Sequence, residues 1–196
     1  NLRRYDNFTR YALSAPTGPL TQCATNGDGE SGSNPYDMVF VSDEKAYVLR
    51  YGSNVLWVVN PSTTNDENFK IGEIDLSVYA QNDNEVANMS SAVMVDGYLL
   101  VAVQRMDTSD AYNWQPGTAY VAVIDTTLDT EIDLNNGNGL KGIVLPVTNP
   151  SDIEYNADSG LVYVLGTGTT FGYDYNGGIA AIDINDNFAT SLQLDD

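Results

Sequence analysis

The chain has 196 residues and a formal charge of −19, from 27 acidic against 8 basic side chains, with no histidine. That length can bury a sizeable core as one domain or as part of a larger one. The charge argues against nucleic acid and anionic membranes, which need clustered Lys and Arg. The missing histidine excludes serine, cysteine and zinc chemistries that depend on one within this chain.

Carboxylate chemistry stays open. The negative surplus serves solubility, and it also suits cation binding or a saline, extracellular setting. The lone cysteine, Cys23, cannot form an internal disulfide; it is a buried or free thiol, or half of a bridge to another segment. No apolar stretch is long enough to span a bilayer and no signal peptide is visible. Opening on Asn1 rather than Met, the chain reads as processed or trimmed.

In chain order, residues 1–14 alternate through Phe8-Thr9-Arg10-Tyr11-Ala12-Leu13. This fits a strand, although Leu2, Phe8, Tyr11 and Leu13 also suit one helix face. By position the segment is the last two strands of a repeat, with Tyr5-Asp6 matching Val59-Asn60, Ile124-Asp125 and Ile182-Asp183. Residues 15–33 mix Pro, Gly, Ser, Asn and Asp and read as loop. Residues 34–77 then form a complete four-strand unit. Its runs are Met38-Val39-Phe40-Val41, Ala46 to Tyr51, Val55 to Val59 and Phe69 to Leu76, with turns at Ser42 to Lys45, Gly52 to Asn54 and Asn60-Pro61. Short β-branched and aromatic runs separated by such residues are strands joined by turns.

A second unit spans 90–147. Ser90 to Val95 and Tyr98 to Val103 are joined by Asp96-Gly97, a strong hairpin signal. A loop from Met106 to Gly117 precedes Ala119 to Ile124, and Ile143-Val144-Leu145 is the expected fourth strand. The third unit, 149–194, restarts with Asn149-Pro150-Ser151-Asp152-Ile153, echoing Asn34-Pro35-Tyr36-Asp37-Met38. It continues through Leu161 to Leu165, a loop at Gly166 to Gly178, Ile179 to Asp183, and Phe188 to Leu194. Unit starts about 55 and about 60 residues apart match or slightly exceed the spacing of four-stranded propeller blades.

Asn-Pro-x-Asp before an apolar strand, then a Tyr-Val strand, then a strand ending Val-Asn-Pro or Ile-Asp, resembles the bacterial YVTN and NHL-like β-propeller repeats. The resemblance covers essentially the whole chain. It implies an all-β, propeller-like fold of about three and a half four-stranded blades, part of a larger closed ring. A further polypeptide segment or chain would complete the propeller, because an open ring leaves strand edges and an apolar face exposed. An ordinary β-sandwich of about fourteen strands is the alternative. Such propellers serve as binding scaffolds, surface-layer proteins and enzymes, so the fold alone carries no function.

Strand order puts the loops between second and third strands on one face with the loops between units. That gathers Cys23 to Ser33, Asp83 to Asn88, Met106 to Gly117 and Gly168 to Gly177. Candidate ligand-binding residues there are Asp107, Asp110, Tyr112 and Trp114, then Phe171, Tyr173, Asp174 and Tyr175. Rings beside carboxylates and amides suit a carbohydrate, a peptide or a protein partner; alternatively they pin long loops to the scaffold. Oxygen-rich, glycine-spaced stretches at Asn26 to Glu30 and Asp133 to Gly139 make Asp28, Glu30, Asp133 and Asn135 candidate calcium ligands. Neither stretch has EF-hand spacing, and such clusters also form plain turns. A secreted, periplasmic or cell-surface scaffold is expected; the alternative is a hydrolase or lyase acting on a carbohydrate or lactone through Asp107, Asp110 or Asp174.

Overall fold

In a computed structural model, residues 6–30, 32–83, 85–134, 137, 139–169 and 176–195 are described. A hairpin comes first, β1 (Asn7–Ala12) against β2 (Ala15–Ala24). Next is a four-stranded antiparallel meander of β3 (Pro35–Ser42), β4 (Lys45–Arg50), β5 (Val55–Val59) and β6 (Lys70–Asp75). A middle sheet follows: β7 (Met89–Val95), β8 (Tyr98–Val103) and, after a two-residue-strand hairpin of β9 (Met106–Asp107) and β10 (Gln115–Pro116), β11 (Tyr120–Asp125). Its outer edge is β12 (Thr130–Glu131) and β13 (Ile143–Val144). The last sheet is β14 (Pro150–Asn156), β15 (Leu161–Gly166), β16 (Gly178–Asp183) and β17 (Ala189–Leu194). Among the described residues there is no α-helix.

These sheets stack face to face, and the period of two along each strand supplies both faces. On β4, Ala46 and Val48 pack with Cys23, Trp57 and Phe69 toward the hairpin, whereas Tyr47 and Leu49 pack toward the middle sheet. On β8, Leu99, Val101 and Val103 face the first meander, while Leu100 faces the last sheet beside Val121, Val162 and Ile182. Covered on both sides, β8 and β11 are apolar at nearly every position. This explains why they read as continuous apolar runs rather than alternating ones. Cys23 is a free, buried thiol in the hairpin joint, and burial pushes its pKa up.

Several expectations need correction. Residues 15–24 are not loop: they form β2, whose Pro and Gly are tolerated because the strand is an edge with bulges beside Tyr11. The fourth strand of the middle sheet is split. Thr130–Glu131 pairs with Ile124–Asp125, Ile143–Val144 pairs with Tyr120–Val121, and an insertion lies between them. Asp6 does not match Asn60; it precedes β1 as Asn54 precedes β5, and Tyr5 lies outside the described residues. In both, the carbonyl accepts from the residue following the fourth strand, Thr25 N–H for Asp6 and Leu76 N–H for Asn54, each at 2.8 Å. The Asp96-Gly97 turn forms as expected, with both residues at positive φ (49° and 85°).

Candidate functional site

Each sheet opens on an asparagine in the left-handed region, Asn34 (φ 46°), Asn88 (57°) and Asn149 (53°). Asparagine enters that region more readily than most residues. The carbonyls of all three accept the N–H of the residue just past the second strand or its end, Tyr51, Gln104 and Thr167, at 3.1 Å each. Across the joint the Asp6 carboxylate accepts Asn34 N–H at 2.7 Å, and the Asn54 side chain accepts Ala87 N–H at 2.9 Å. Tyr51 Oη donates to Gln104 Oε1 at 2.7 Å, and Gln104 Nε2 donates to the Pro150 carbonyl at 2.9 Å. Loops from successive sheets are therefore locked together at one face. The motif residues closing the third strands work at the opposite face: Asn60, Asp125 and Asp183 each accept the N–H two residues on.

The hairpin β9–β10 stands on this face. Glu85, 9% exposed, anchors it by accepting from both the Thr108 N–H (2.8 Å) and the Thr108 hydroxyl. Asp107 accepts Ser109 N–H at 2.9 Å and Asp110 accepts Tyr112 N–H at 2.9 Å. The Ser109 hydrogen bonds hold the Asp107 carboxyl below its ordinary range. Tyr112 is 91% exposed and Trp114 42%. The structure thus brings Asp107, Asp110, Tyr112 and Trp114 together on one pinned loop, its carboxylates holding turns and its rings facing solvent. Phe171, Tyr173, Asp174, Tyr175 and Asn135 lie outside the described residues.

Glu30 does something the sequence reading missed. Its carboxylate pairs with the Arg50 guanidinium and accepts from Gly27 N–H at 2.8 Å and Ser53 Oγ at 2.9 Å. Burial pushes the Glu30 pKa up, but these hydrogen bonds and the Arg50 charge outweigh it, and the net shift is downward. Arg50 is itself 1% exposed, donating to the Thr25 carbonyl (2.7 Å) and Ser53 Oγ (3.0 Å), with its guanidinium 4.2 Å from the Trp57 ring centre. Asp28 stays on the exposed part of this loop. Asp133 borders a separate cleft of about 720 Å³ with Asp75, Glu131, Leu140 and Lys141. There the buried Tyr79 hydroxyl donates to Glu131, whose carboxyl burial pushes upward. Among the described residues, no group of three or more Asp, Glu or Cys side chains is arranged to hold a metal ion.

Sequence reasoning also missed Asn88 and Glu85. Asn88 was legible from its spacing to Asn34 and Asn149, but it lacks the following proline. Arg50 was legible as a lone charge closing an apolar run, the place where a buried cation needs a partner. Glu85 had no such signal.

No protein-family model and no curated protein sequence matches the chain. Solved structures do. BamB from Moraxella catarrhalis aligns over 98% of this chain and 48% of its own, with TM-score 0.55 at 10% identity. A functionally unknown protein from Desulfotomaculum acetoxidans aligns over 97% and 48%, with TM-score 0.58 at 9% identity. The dihydro-heme d1 dehydrogenase NirN aligns over 97% and 34%, with TM-score 0.57 at 17% identity. This chain spans about half or less of those structures. Stacked antiparallel meanders with such neighbours define the fold as a partial β-propeller, the β1–β2 hairpin being the outer half of a blade. No helix among the described residues is long and apolar enough to cross a membrane.

Proposed function

We propose that the chain is an extracytoplasmic propeller scaffold of the YVTN/NHL-like type that binds a carbohydrate, peptide or protein partner through the loops of one face. A further polypeptide segment or chain completes its ring. The observation that carries this reading is the β9–β10 loop: Tyr112 and Trp114 are exposed on a frame fixed by Glu85, Asp107 and Asp110. Exposed rings on a rigid backbone bind at low entropic cost. The carboxylates there are engaged in turns, which favours binding over glycoside or lactone hydrolysis. Calcium remains the candidate ion for the Asp28 and Asp133 loops, and Glu30 would have to leave Arg50 to take part.

Trp57 is 4% exposed and Trp114 42%, so quenching of tryptophan fluorescence reports Trp114 selectively. Titration with neutral oligosaccharides and with extended peptides should give saturable quenching with one class and no turnover of either. Trp114→Phe with Tyr112→Ala removes the reporter along with the ring, so that double variant is titrated calorimetrically, and its heat of binding should vanish. Turnover that survives this double variant and fails on Asp107→Asn would reverse the proposal in favour of catalysis.

A further inference from the structure

The joints between sheets repeat residue by residue. Register places Val39, Tyr47 and Val58 in one row across the first meander, and Val93, Leu100 and Val123 in the matching row of the middle sheet. Both rows are covered by the next sheet. In the last sheet the matching row is Glu154, Tyr163 and Ala181, and beside it run Asp152, Leu165, Ile179 and Leu194. Here the outer face is open: Leu165 is 44% and Leu194 59% exposed, and a shallow apolar groove of about 190 Å³ runs over Tyr163, Leu165 and Ile179.

The covered joints state what such a face takes. Tyr47 donates its hydroxyl to Asp129, which sits at φ 54° in the turn after β11, and Lys45 reaches the same carboxylate at 2.8 Å. At the next joint Tyr98 occupies the place of Lys45, and its ring meets Phe188, also left-handed (φ 58°), 6.0 Å away and edge-on. Leu161 and Tyr163 hold the Lys45 and Tyr47 places on the open face. A second copy does not supply the match. The other uncovered sheet face, outside the hairpin, presents Asn7, Thr9 and Gln22 beside the exposed Tyr11 and Leu20, but its turn, Leu13-Ser14, has no carboxylate to meet the Tyr163 hydroxyl.

We propose that this face docks one further sheet of the same repeat, carried outside these 196 residues. That sheet presents aliphatic residues to Leu165 and Ile179 and, from the turn after its third strand, a left-handed Asp or Asn to the Tyr163 hydroxyl. The proposal rests on the ring completion proposed above and assigns its joint, since it continues an interface that already occurs twice. The region around it also sets the partner's charge: from Gly142 to Asp196 the chain has no Lys or Arg, so a docking sheet with basic residues near Asp152 and Glu154 is favoured.

The probe is the protein's own middle repeat, residues 89–147, fused after Asp196, because that repeat already covers the Tyr47 row. Fusion should slow amide exchange in β15 and β16 at least tenfold, and Asp129→Ala in the added copy or Tyr163→Phe should reverse most of that. In the unfused chain, Leu165→Gln, which adds no charge opposite Asp152, should leave the urea midpoint unchanged, because nothing covers the side chain. A midpoint loss in that variant would overturn the proposal, as would unslowed exchange in a fusion whose added repeat is folded. Dimerisation of the unfused chain that Leu165→Gln abolishes would also overturn it, by making a second copy the occupant. Trp114 quenching is independent of all these outcomes, so ligand binding and this joint fail separately.

Discussion

Replacing Arg50 by Met removes a cation that is 1% exposed and bound on every side. The methionine keeps the apolar stem against Trp57 but strands the Thr25 carbonyl, whose residue is 0% exposed, while Ser53 Oγ loses one donor and keeps the Val55 N–H at 3.2 Å. A buried acceptor left without its donor costs about 1–3 kcal/mol. Loss of the stacked guanidinium adds about 1 kcal/mol. Glu30 contributes less, since its side chain is 34% exposed and regains water. Relief of the desolvated charge offsets part of the sum, leaving a loss of about 3 kcal/mol, within the range for breaking a buried pair. Glu30→Gln keeps one acceptor oxygen for the Gly27 N–H, turns its amide toward the Ser53 hydroxyl and leaves Arg50 its neutral partners, so it should cost only about 1–2 kcal/mol. Urea unfolding followed by Trp57 fluorescence measures both; with a slope of about 2–3 kcal/mol/M, Arg50→Met should lower the midpoint by about 1 M or more. A shift under about 0.3 M for Arg50→Met, or a larger one for Glu30→Gln, would refute the view that Arg50 organises this joint.

The two perturbed glutamates should pull stability in opposite directions with pH. Glu30 is held below its ordinary value, so its contribution is full above that value and is lost as pH falls through the folded pKa; Glu30→Gln should flatten the acid limb of a midpoint-against-pH curve. Glu131 is held above its ordinary value, so its contribution is full at low pH and is lost as pH rises through the folded pKa. Glu131→Gln should therefore gain on the parent between pH 4 and pH 7, and a decline over that interval would be the wrong sign. At Gly166 an added Cβ would lie 2.7 Å from both the Thr148 carbonyl and Val147 Cβ, so Gly166→Ala should cost about 1–3 kcal/mol and lower the thermal midpoint. Asn88→Ala should cost about 2 kcal/mol, combining left-handed strain with the lost bond from Met106 N–H (2.8 Å), whereas Asn88→Gly should recover the strain part.

Most of the fold was legible because its signals are local. Asp96-Gly97 dictates a hairpin, and the Asn-Pro-x-Asp openings mark where inner strands begin. What escaped was set by tertiary position. An edge strand tolerates the Pro16, Gly18 and Pro19 that make β2 read as loop, and β12 is too short to announce itself before its insertion. Strand order alone put the Asp83 to Asn88 loop beside Met106 to Gly117, where Glu85 holds Thr108. The Arg50–Glu30 pairing was not legible, because it joins a strand end to a loop across 20 residues. The same loop had suggested Glu30 as a calcium ligand; in the structure that carboxylate pairs with Arg50 within the chain.

Residue-resolved hydrogen exchange tests the stacking order most directly. If the middle sheet is covered on both faces, amides of β8 and β11 should be the slowest in the molecule. Those of β4, β5, β15 and β16 should be intermediate, and those of β1, β2 and β17 the fastest. Protection in β1–β2 or β17 equal to that in β8 and β11 would contradict the stacked-blade arrangement.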